Sequence, residues 1–125
     1  MNNKTIFEFI SPVLASADVA RDIQWYQEKL GFKNVYDSTQ YQEGPVDYAV
    51  LGRQKLFFHI QFQFPKDVIS SDIKFQVKNI EPLYEEFLKS GAITEKNINR
   101  KTAWNTSECC FFDLNKNRLT FYEDV

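Results

Sequence analysis

The sequence predicts an α+β fold made of two copies of a βαβββ module related by a pseudo-twofold axis. Three observations predict it. Two amphipathic helical stretches each follow a strand-like run and end on a glycine. Each helical stretch is followed by three short runs rich in β-branched and aromatic residues. A shift of 61 residues brings Leu14 onto Phe75, Asp18 onto Asn79, Val19 onto Ile80 and Tyr26 onto Phe87. Identity between the halves is low, so the repeat rests on pattern, and a generic α+β sandwich is the alternative that pattern alone leaves open. The 125 residues suit one domain spanning 1–125, with modules at about 5–62 and 72–124.

Thr5 to Leu14 reads as the first strand. Asp18 is placed to cap a helix carrying Val19, Ile23, Tyr26 and Leu30 on one face, with Gly31 as its terminator. Phe32 to Tyr36 is a short strand, and Gln42-Glu43-Gly44-Pro45 a turn. Asp47 to Leu51 and Lys55 to Phe62 are strands about a turn at Gly52-Arg53. The pattern then restarts. Ile73, Phe75 and Val77 alternate with Asp72, Lys74 and Gln76. Asn79 is the expected cap of a second helix, with Pro82 in its first turn, an apolar stripe of Leu83, Tyr84, Phe87 and Leu88, and Gly91 at its end. Ile93 to Ile98, Glu108 to Phe112 and Arg118 to Glu123 complete the strands, with a turn at Asn115-Lys116-Asn117.

Composition narrows the function. Lys plus Arg is 15 and Asp plus Glu 17, a net charge of −2, so there is no basic excess for nucleic-acid phosphates. At 43% hydrophobic residues the chain is too apolar for disorder. No apolar run approaches a membrane span, and Glu8 interrupts the only apolar stretch near the start, which does not read as a signal peptide. Cys109 and Cys110 are neighbours, so no disulfide framework is expected, and zinc-ligand spacings are absent. A cytoplasmic protein is the expectation. Aromatics reach 16%, including 12 Phe, more than packing alone asks for.

Two motifs carry a resemblance. The first is Asp18, then Trp25-Tyr26, then Leu30-Gly31-Phe32, similar to a D-x6-FY-x3-LGF signature. The second is Phe111-Phe112-Asp113-Leu114-Asn115-Lys116-Asn117, similar to F-x-DPDGN, with Leu114 in place of the proline and Lys116 in place of the glycine. In a duplicated βαβββ frame the chain resembles the vicinal oxygen chelate superfamily of glyoxalase I, extradiol dioxygenases, and fosfomycin and bleomycin resistance proteins. That resemblance covers nearly the whole chain and implies sheets curved around a cleft.

The enzymes of that superfamily hold a divalent metal at four pseudo-symmetric positions. The matching positions here are Ser11, His59, Asp72 and Thr120, and the shift of 61 relates Ser11 to Asp72 and His59 to Thr120. Serine and threonine hydroxyls are poor ligands for Zn, Mn, Fe or Ni, and two competent donors fall short of the three usual at a catalytic site. Glu123 lies an odd number of residues from Thr120 and belongs to the opposite strand face. No metal and no cofactor are expected. The bleomycin resistance branch also lacks the ligands. Pro12 lies six residues before Asp18, Trp104 nine before Asp113, and Tyr48 opens the third strand, as that branch has them. The branch implies a homodimer whose clefts take residues from both chains, with the first strand crossing to the partner at the proline. Proline suits strand ends and sheet edges, so Pro12 allows the same exchange here.

The expected cleft residues are Tyr48, Phe57, His59, Asp72, Trp104, Arg118, Thr120 and Tyr122. His59, the single histidine, has three readings: a half-buried ring bonded to a neighbour, which is favoured, then a ligand contact, then a general base. Arg118 either pairs with Asp72 or another carboxylate, or binds an anionic ligand group. Asp72 and Lys74 could also neutralise one another. Trp104, in a polar loop, either stacks on a planar ligand or caps the core edge. Trp25 and Tyr26 read as packing, and the two cysteines as non-catalytic. The leading reading is a non-catalytic binder of a planar or aromatic molecule, a bleomycin-type antibiotic among them. The alternatives are a metal-dependent lyase, isomerase or transferase, and an interaction module with a vestigial cleft.

Overall fold

The computed structural model describes residues 3–125. The first module contains β1 (Val13–Ser16), α1 (Val19–Leu30), β2 (Lys33–Asp37), β3 (Tyr48–Arg53) and β4 (Leu56–Phe62). The second contains β5 (Asp72–Gln76), α2 (Glu81–Ser90), β6 (Ile98–Asn99), β7 (Thr106–Phe112) and β8 (Arg118–Asp124). Each module forms its own four-stranded sheet, ordered β1-β4-β3-β2 and β5-β8-β7-β6, and this is the expected pair of βαβββ units. The outer strand of each sheet pairs in parallel with the last strand of its module. Val13 lies opposite His59 and Lys74 opposite Thr120, and both residues of the second pair are offset by 61 from the first. Lys29 and Ser90, themselves 61 apart, exchange two hydrogen bonds: Lys29 Nζ donates to the Ser90 carbonyl at 2.9 Å and Ser90 Oγ to the Lys29 carbonyl at 2.7 Å. Equivalent residues meet each other in this way beside a twofold axis.

Alternation explains which face of each sheet is buried. Leu14, Ala49, Leu51, Phe58 and Ile60 of the first sheet, and Phe75, Cys109, Phe111, Leu119 and Phe121 of the second, point under the helices and are buried. Tyr26, Leu30, Tyr84 and Phe87 come down from α1 and α2 to meet them. A run of aromatic rings crosses between modules: Phe58 lies 5.1 Å from Phe32 and 5.9 Å from Phe75, which stacks on Phe121 at 4.3 Å. Much of the high phenylalanine content is spent on this shared core.

Both helix stops are as expected, with Gly31 (φ 70°) and Gly91 (φ 83°) in the left-handed region. Asp18 caps α1 by accepting from the Arg21 amide. Four expectations are corrected. Asn79 does not cap α2. It adopts φ 60°, and the Glu123 carboxylate takes the Asn79 and Ile80 amides at 2.6 and 3.0 Å. Ile93 to Ile98 is not a strand: residues Glu95–Asn97 form a 3-10 turn closed by a Thr94–Asn97 capping box, leaving two residues for β6. The β3–β4 turn sits at Gln54-Lys55 rather than Gly52-Arg53, which belong to β3. Finally, the first strand begins at Val13. Residues 3–12 form no strand, and Ile6, Phe7, Phe9 and Ile10 project into solvent, Phe7 at 96% exposure. The sheet to which β1 belongs gives those side chains no apolar layer in a single chain.

Candidate functional site

The outward face of the first sheet carries Tyr48 on β3 and Phe57, His59 and Gln61 on β4. Their inward neighbours Phe58 and Ile60 fix this orientation by packing in the core. The Tyr48 hydroxyl and His59 Nδ1 are hydrogen-bonded, with the rings edge-on at 5.4 Å. Burial, and next the nearby Tyr41, push the Tyr48 hydroxyl up from its ordinary pKa, so it stays a neutral phenol. The Pro12 carbonyl accepts from the His59 amide at 2.8 Å and anchors the start of β1 beside the ring. A shallow pocket of about 260 Å3 opens here, lined by Tyr41, Gln42, Asp47, Tyr48, Gln61 and Phe62.

The outward face of the second sheet carries the other expected residues. Arg118 and Asp72, side by side on β8 and β5, form an ion pair at 2.9 Å, and both stay half exposed. Asp72 is therefore engaged by Arg118 rather than by Lys74. Tyr122 donates to Gln76 Oε1 at 3.4 Å. Thr120 shares this face but is only 2% exposed, lying in register between Lys74 and Cys110. Trp104 does not cap the core. It is 62% exposed, and its indole donates to Glu108 Oε2 at 3.3 Å. Trp25 packs edge-on against Tyr26 at 5.0 Å, as expected. Burial pushes the Cys109 thiol up to about 12, which leaves it without a thiolate near neutrality.

The expected residues thus form two half-sites, one per sheet. Among the described residues no hydrogen bond or ion pair joins them. The four metal positions do not suit a metal. Ser11 and Thr120 supply only hydroxyls, Asp72 is held by Arg118, and His59 by Tyr48. Among the described residues no cluster of three or more His, Cys, Asp or Glu side chains is arranged to hold one.

Sequence reasoning missed Tyr41 and Glu108. Glu108 lies two residues before Cys110 on β7 and shares the outward face, a period-2 relation that could have found it. Tyr41 sits in a loop folded back by distant bonds, with the Asp47 amide on Ser38 Oγ and the Phe62 amide on the Asp47 carbonyl, which no local pattern encodes. A cavity of about 640 Å3 was missed altogether. It lies on the helix side of the sheets, between the β3–β4 turn and α2, and no expected site residue lines it.

No family model and no curated protein matches the chain. Solved structures do. A glyoxalase-related enzyme from Clostridium phytofermentans superposes with TM-score 0.73 at 18% identity, over 99% of this chain and 100% of that one. A bleomycin-binding protein in complex with bleomycin gives 0.71 at 15% identity, covering 95% and 100%. The bleomycin-binding protein of Streptomyces verticillus, with copper(II)-bleomycin, gives 0.67 at 18%, covering 93% and 97%. The chain has the fold of the glyoxalase and bleomycin resistance proteins, the fold that its two motifs implied.

Proposed function

We propose that this protein is a non-catalytic binder that sequesters a planar or aromatic molecule in an aromatic-walled cleft, and that two copies build the cleft in the cytoplasm. The observation that supports this best is the outward face of each sheet. One face offers Tyr48, Phe57 and His59, the other Trp104 and Tyr122, and each of these side chains keeps part of its surface in solvent. Aromatic walls with a few polar groups suit a small organic ligand. The exposed apolar side chains of residues 6–10 support a second copy as the partner, because that many uncovered apolar groups favour association. Bleomycin-type glycopeptides are the first ligand to test, given the bleomycin-binding relatives of the same fold.

The test is titration of the full-length protein with bleomycin, following tryptophan fluorescence and melting temperature, with light scattering on the same sample. Saturable quenching that Trp104→Phe removes, a raised melting temperature, and twice the chain mass are expected. An unchanged signal removes bleomycin as ligand. A monomer removes the shared cleft. Stoichiometric transition metal in protein purified without chelator would replace the binder with a metal-dependent enzyme.

A further inference from the structure

The cavity of about 640 Å3 lies where the two repeats differ in chemistry. On the other side of the axis, the β7–β8 turn (residues 113–117) plugs the socket at the start of α1. Asn115 accepts from the Ala17 amide at 2.8 Å and donates to Asp22 at 2.6 Å. Asn117 donates to the Ala15 carbonyl at 3.0 Å, and the Tyr26 hydroxyl to Asp113 at 2.6 Å. In the equivalent β3–β4 hairpin the strands run further and leave two residues between them instead of five, and the hairpin meets α2 through the Arg53–Glu86 ion pair. Its socket has also changed chemistry. Where α1 and its approach carry Ser16, Asp22 and Tyr26, the residues 61 further on are Val77, Leu83 and Phe87. Asn117 corresponds likewise to Leu56.

The result is an open socket with an apolar floor of Phe32, Leu56, Phe75, Val77, Leu83 and Phe121. Its rim carries Arg53, Lys55 and Lys78 against one carboxylate, Glu86, which Arg53 engages through both guanidinium nitrogens at 2.6 and 2.8 Å. Lys55 and Lys78 are left as positive charge on a protein whose net charge is −2. The volume falls in the range of small-molecule sites. From the apolar floor with its three phenylalanines and the cationic rim, we infer that this socket binds an aromatic monocarboxylate. The ring would lie on the floor and the carboxylate at Lys55 and Lys78. This site is separate from the sheet faces of the proposed binder and does not depend on that reading.

The experiment is a titration of the intact, isotope-labelled protein with 1-naphthaleneacetate, and with 1-naphthaleneethanol as its uncharged match, followed by amide NMR. Saturating shifts at residues 53–56 and 77–83 are expected, with the acid bound about ten-fold more tightly than the alcohol. Lys55→Glu with Lys78→Glu should erase that preference while leaving the alcohol's affinity unchanged. Leu83→Trp, which fills the socket, should abolish both. Equal affinities, shifts confined to the sheet faces, or a charge-reversed variant that keeps its preference for the acid would each overturn the assignment.

Discussion

The two β-turns that face the helix starts occupy equivalent places and do opposite things. The β7–β8 turn is a polar plug. Asp113 accepts from the Tyr26 hydroxyl, the Asn115 and Asn117 amides and the Asn117 side chain, all in buried surroundings. The β3–β4 turn leaves its socket open, and Arg53 is held at the rim by Glu86 and the Leu30 carbonyl. Buried polar groups are worth keeping only when every one finds a partner. The first module's socket keeps the polar set and is filled by the second module's turn, whereas the second module's socket has neither a polar set nor a plug.

The comparison breaks most sharply at Asp113. Asp113→Ala leaves several buried donors unsatisfied and should cost about 3–4 kcal/mol in urea unfolding. Phe87→Tyr places a hydroxyl where no carboxylate waits and should cost about 2 kcal/mol. The converse, Tyr26→Phe, makes the first socket resemble the second and should cost about 1 kcal/mol. If the two ring changes prove equally costly, the sockets are not chemically distinct. Burial, followed by Asp113, pushes the Tyr26 hydroxyl well above its ordinary pKa, so ultraviolet titration should find one tyrosine silent until the protein unfolds in alkali. The smallest effect is expected at Glu123. Its bonds from the Asn79 and Ile80 amides hold its carboxyl below the usual range. A lowered value stabilises the fold above the unfolded-state pKa and is lost as pH falls through the folded one. The melting-temperature gap between the protein and Glu123→Gln should therefore be steady at neutral pH. It should close as pH falls through the ordinary glutamate value of ~4.3 and then through the lower folded one.

The contrast also shows what a sequence reveals. The modules, both helices and their glycine stops were legible because period and capping are local. Asp18 caps from three residues away. Asn79 looked equally suited, but the cap of α2 comes from Glu123, 43–44 residues on, and no local pattern carries that. Ile93 to Ile98 looked like a strand by composition, and a Thr94–Asn97 capping box overrode it. For the site, strand alternation correctly set Phe57 and His59 outward against Phe58 and Ile60. The same alternation could not show that Thr120 would be covered by its neighbours. Nor could it show that β3 and β4 would run on through residues whose counterparts form the plug in the second hairpin.

The Asn117–Ala15 bond joins residues 102 apart, so its closure must wait for almost the whole chain. Contacts that span so much sequence tend to form late, after each module has paired its own strands. Loosening that bond with Asn117→Ala should speed unfolding and leave the refolding rate nearly unchanged. The plug would then act as a latch, setting how long the two halves stay together once folded.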